Sequence, residues 1–135
     1  MKAFLKDIWK TSLLHRFWCF LILLYNFIWP ILLLNLWQAK LVASVFVLVF
    51  VSQLIIHKKY GYKRIMAMAH MFWLPMMVYL LRNTITIEMS PLEIAWVYGM
   101  IIVNIVSLIL DFKELKLWFS GDKDSSFGRP KNAQT

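Results

Sequence analysis

Of 135 residues, 61% are hydrophobic and 16% are charged, and the mean hydropathy is +0.64. A soluble domain is nearer half apolar and a quarter charged, so a soluble fold is excluded: too few polar residues remain to cover the apolar ones. The formal charge of +8 is gathered between long apolar runs, which points to membrane topology and anionic head groups and not to a nucleic-acid groove.

The chain opens with MKAFLKDIWK, in which Phe4, Leu5, Ile8 and Trp9 form one helical face and Lys2, Lys6 and Lys10 the other. That pattern predicts a short interfacial helix near residues 3–12. A secretory signal is disfavoured, because the next apolar run is longer than the roughly 7–15 residues of a signal core and no small-x-small site follows Leu36.

Four uncharged runs follow: Phe17 to Leu36 with 20 residues, Leu41 to Ile56 with 16, Ile65 to Leu81 with 17, and Ile94 to Leu110 with 17. Crossing ~30 Å of hydrocarbon takes about 17–25 helical residues at ~1.5 Å each. The shorter runs are extended by Lys40, Lys58, Lys59 and Arg82, which can snorkel, and by Trp37, Tyr60, Tyr62 and Trp118 at the interfaces. Each run is therefore expected to span.

The links between runs set the arrangement. Trp37 to Lys40 is so short that it implies an antiparallel hairpin, and His57 to Arg64 is a basic turn centred on Gly61. The longer link, Asn83 to Glu93, ends in Ser90-Pro91-Leu92-Glu93, a capping box with proline at the first helical position, which should start the last helix. Beyond the fourth run, residues 111–119 continue as a helix with Phe112, Leu115 and Phe119 on one face, suited to the inner surface. Residues 121–135 are polar and expected to be disordered. The fold class is thus all-α: a polytopic integral membrane protein whose residues 1–120 form a single antiparallel four-helix transmembrane bundle. With four crossings, thirteen Lys and Arg fall on the side of the N-terminus and two, Lys40 and Arg82, on the other. Both termini are therefore expected at the cytoplasmic face of the cell (plasma or inner) membrane, against anionic lipid.

Polar side chains inside the runs fall at similar depths. His70 and Asn104 lie roughly 8–9 Å from the inner end at ~1.5 Å per residue. Gln53 is slightly shallower, Asn104, Ser107 and Asp111 share one face at i, i+3, i+7, and Asn26 is near the midplane. Amides and imidazoles avoid lipid, so Asn26, Gln53, His70, Asn104, Ser107 and Asp111 should form an inward polar seam, with His70 bonded to Asn104 or Gln53. Pro30 and Pro75 should each bend a helix and leave a carbonyl for a neighbour to satisfy.

Reactive chemistry is sparse. Cys19 is alone, and no phosphate loop, serine elbow or paired carboxylates occur. His15, His57 and His70 all fall in the inner third and are the candidate ligands for haem or a metal, but no HxxH or HxxxH spacing supports them. Met66, Met68, Met71, Met76 and Met77 point around the helix, as packing residues do. No catalytic residue, cofactor or metal site is assigned. The function expected is that of a non-catalytic accessory or assembly subunit that binds another membrane protein or itself. The alternatives are a haem- or metal-binding redox subunit using His70, and an oligomeric transporter of small solutes or lipids.

Overall fold

A computed structural model of the chain describes residues 1–84 and 89–123. Among these there is no strand, and four helices are long and apolar enough to cross a membrane: Leu13–Leu32, Trp37–Tyr60, Arg64–Asn83 and Pro91–Phe119. Residues 85–88 of the long link, and the polar tail from 124 onward whose disorder the sequence suggests, lie outside the described residues.

A shorter helix, Lys2–Trp9, precedes the first span. Phe4 anchors it, packing edge-on against Phe50 and His57 of the second span. The first span is capped by Ser12, whose hydroxyl accepts from the His15 amide, and so starts at Leu13, four residues before the uncharged run. It ends at Leu32, because the chain turns over residues 33–36. The second span is longer than its uncharged run at both ends and stops at Gly61, whose φ of 72° favours glycine.

The first and third spans are not plain α-helices. Leu24–Ile28 is a π-helical turn that ends two residues before Pro30. In that register the Tyr25 carbonyl would accept from residue 30, and proline has no N–H to give. The indole of Trp96 in the fourth span donates to it at 3.0 Å. Thus the carbonyl orphaned by Pro30 is satisfied by a neighbouring helix, as the sequence leads one to expect. The Tyr25 ring also rests on Gly99, where a Cβ would lie 2.5 Å from it, so a larger residue there would force the ring to shift.

In the third span Arg64–Phe72 is a 3-10 helix that becomes α-helical at Trp73. A 3-10 helix rises ~2.0 Å per residue against ~1.5 Å for an α-helix, so these nine residues gain about 4–5 Å of reach, which suits a 17-residue run to the bilayer. Pro75 falls in the first turn of the α-helical part, just past the change of winding, and because the helix is continuous there its missing N–H leaves one carbonyl of the preceding turn without its intrahelical donor.

The fourth span begins with the capping box the sequence indicates: the Ser90 hydroxyl accepts from the Glu93 amide, and the Ser90 amide donates to Glu93 Oε2 at 2.7 Å. It continues unbroken to Phe119, so residues 111–119 extend the span and are not a separate helix. The core is built mainly by the third and fourth spans, with Trp73, Met76, Leu80, Trp96, Val97 and Met100 buried, and by Val42 and Val49 of the second. The outward faces carry apolar side chains such as Leu14, Val78, Ile102 and Ile109, as a lipid-facing surface requires.

Candidate functional site: a polar seam at one end of the spans

The buried amides meet first. Asn26, held inward by the π-turn, and Asn104 exchange two hydrogen bonds at 2.9 and 2.8 Å, and both are fully buried. Asn26 also donates to the Ile22 carbonyl. A reciprocal amide pair satisfies both partners within apolar surroundings and fixes the register of the first span on the fourth.

His70 sits one layer toward the basic turn. Its Nδ1 is 2.7 Å from Asp111 Oδ2, and its Nε2 is 2.7 Å from the amide nitrogen of Gln53. As that amide is oriented, Gln53 donates to Nε2, and Nδ1–H donates to the carboxylate. The imidazole thereby joins the second, third and fourth spans, and its ring stacks on Trp73 at 4.4 Å. Of the two partners the sequence suggests, Gln53 is found. Asn104 is taken by Asn26 instead, because the 3-10 winding carries His70 away from the straight-helix level on which that alternative was based.

Further groups complete the seam. Trp18 donates its indole N–H to Ser107 at 3.0 Å. His15 Nε2 is 2.7 Å from the Tyr62 hydroxyl and 3.5 Å from the Cys19 sulfur. The guanidinium of Arg64 donates to Glu114 at 2.6 Å and to Asp122 at 3.0 Å, with Arg64 and Glu114 buried. His57 lies apart, 3.0 Å from Asp7 of the N-terminal helix. That hydrogen bond is the main reason the Asp7 carboxyl is held below its ordinary value; burial opposes it and Lys10, 3.2 Å away, adds to it.

All six seam residues read from the sequence thus have polar partners or polar neighbours inside the bundle, in three groups: Asn26 with Asn104, Gln53 with His70 and Asp111, and Ser107 with Trp18. The three candidate histidine ligands have separate partners. Among the described residues no three His, Cys, Asp or Glu side chains are placed to hold a metal ion together. Sequence reasoning missed Trp18, Tyr62, Arg64 and Glu114. Glu114 was findable, since it extends the stripe of 104, 107 and 111 by three more residues.

No family model, curated protein or solved structure matches the chain.

Proposed function

We propose that the chain is a non-catalytic accessory or assembly subunit of the cell membrane, binding another membrane protein through its lipid-facing helices and its basic face. One observation carries this: both ring nitrogens of His70, the residue best placed for chemistry, are occupied by Gln53 and Asp111. The seam's polar groups fasten helices to one another, which leaves the outward surface as the part free to act. We place the spans antiparallel with both termini cytoplasmic, on the strength of the thirteen-to-two division of basic residues. Contacts between Trp37 and Tyr79, and between His15 and Tyr62, agree with that arrangement.

Photo-crosslinking residues introduced at the exposed positions Val78 and Ile102 test the subunit role in native membranes. One discrete protein adduct from one face is expected. Lipid adducts alone from both faces would overturn the proposal, and a Soret band or stoichiometric metal in the purified protein would favour the redox alternative. Reporter fusions at Gln38 and Thr86 should read outside and those at Tyr60 and Ser126 inside; an outside signal at Tyr60 would reverse the topology.

A further inference from the structure

We propose that the cavity beneath the N-terminal helix binds an uncharged, oxygen-headed, single-chain amphiphile that enters from the bilayer. The cavity has a volume of about 350 Å³, within the roughly 300–1,000 Å³ of small-molecule sites. At the ~30 Å³ that a water occupies, it holds on the order of a dozen non-hydrogen atoms. That is a small head and the first part of one chain, and too little for a glycerol backbone carrying two chains. The room arises from the local winding: Arg64, Met66, Ala67 and His70 in its wall belong to the tight 3-10 stretch, which is slimmer than an α-helix.

The lining is graded along the spans. In the first it passes from His15 to Ile22 and Leu23, and in the second from Gln53 to Val49 and Phe46. A polar cap therefore stands over an apolar floor, which matches an amphiphile aligned with the lipids around it. The rim shows where it enters. Leu5, Phe20 and Leu23 line the cavity yet are 46%, 51% and 37% exposed, on surface the bilayer must cover, whereas Val49, Met66 and Ala67 in the back wall are buried. The opening is lateral, toward lipid.

Charge selects the head. The formal charges in the wall, Lys63 and Arg64 against Asp111 and Glu114, cancel. Arg64 is engaged by Glu114 and Asp122, and Asp111 by His70. A charged head drawn to Arg64, Glu114 or Asp111 would have to break one of these pairs in a low-dielectric site, whereas a hydroxyl or ester carbonyl can share Tyr62, His15 or Gln53 beside their present partners.

The test uses the full chain in phosphatidylcholine nanodiscs with a diazirine-bearing monoacylglycerol, and the fatty acid of the same chain as a charged-headed control. Labels from the monoacylglycerol are expected on Val49, Met66 or Ala67, with about a hundredfold less from the carboxylate probe, as the penalty for breaking a buried ion pair requires. Filling the cavity with Ala67→Trp should abolish labelling of the back wall. In the milder variant Tyr62→Phe, which keeps the ring, labelling should fall about fivefold for the monoacylglycerol, the worth of one neutral hydrogen bond, and stay unchanged for a head-less alkyl diazirine. Labelling confined to outward residues such as Leu14 and Ile109 would overturn the proposal. So would equal or stronger labelling by the carboxylate probe, or loss of all three probes' labelling alike in Tyr62→Phe.

Discussion

The two ends of the bundle handle buried polar groups in opposite ways. At the end near the basic turn, His70, Asp111, Gln53, Arg64 and Glu114 all have hydrogen-bond partners across helices. At the other end Gln38 is buried more deeply than His70 or Asp111, but among the described residues neither its amide nitrogen nor its oxygen has a partner, and packing there is between rings such as Trp37 and Tyr79. An unpartnered amide in an apolar site costs free energy, whereas a partnered one adds a little and, more usefully, selects one register. One end of this protein is therefore specified by several polar pairs, and the other mainly by shape, with the Trp96 indole on the Tyr25 carbonyl as a cross-helix hydrogen bond toward that end. Substitutions should separate the two sharply.

The largest effect is expected at Glu114. Arg64 is buried, and of its two carboxylate partners among the described residues Glu114 is the buried one, Asp122 being half exposed. Breaking a buried ion pair from one side costs about 3–5 kcal/mol, and the remaining carboxylate places Glu114→Ala near the lower figure. Reversible unfolding in mixed micelles measures it. A loss under about 0.5 kcal/mol would mean that the pair is solvated like a surface bridge and that the end is not held by polar contacts.

Next come the amides and the imidazole. Asn26→Leu and Asn104→Leu should each destabilise, and the double variant should recover most of the loss, with a coupling of about 0.6–1.7 kcal/mol. Additive single effects would show that the reciprocal bonds contribute nothing specific. His70→Leu strips a partner from Gln53 and Asp111 at once and should cost on the order of 1 kcal/mol.

These residues also mark how far the sequence was legible. Hydropathy and charge were enough for the four apolar helices, because lipid demands long uncharged runs, and the polar seam followed because each amide in such a run needs an inward place. Pairing was harder. Depth counted along ideal helices put His70 level with Asn104, but the 3-10 winding near His70 and the π-turn at Asn26 changed the levels, and neither leaves a local sequence signal apart from Pro30. Arg64 and Tyr62 read as interfacial flanks; that they turn inward follows from Glu114 and His15, which are distant in sequence.

A smaller effect is expected where the N-terminal helix docks. The Asp7 carboxyl is held below its ordinary value of 3.8, chiefly by the hydrogen bond from His57. A lowered folded-state value stabilises docking above pH 3.8 and the gain is lost as the pH falls through the lower value. Hydrogen exchange over residues 2–9 should therefore show no loss of protection traceable to Asp7 between about pH 5 and 7, and a loss only in stronger acid. Asp7→Asn should remove that acid-dependent loss. If the variant and the parent lose protection together, Phe4 alone holds the helix.

The smallest change belongs to the end built by shape. Gln38→Met keeps the length of the side chain and exchanges an unpartnered amide for a thioether that adapts to an irregular space. Two terms act: relief of the buried amide favours the variant, and imperfect packing of the larger sulfur opposes it. Their difference should leave stability unchanged or raise it by about 0.5 kcal/mol, opposite in sign to every substitution in the seam. The same unfolding measurement decides the matter. A loss above about 1 kcal/mol would mean that Gln38 has a partner in the membrane, supplied by water, lipid or a second protein. Both ends would then rest on polar pairing, and the contrast between them would be one of partner and not of principle.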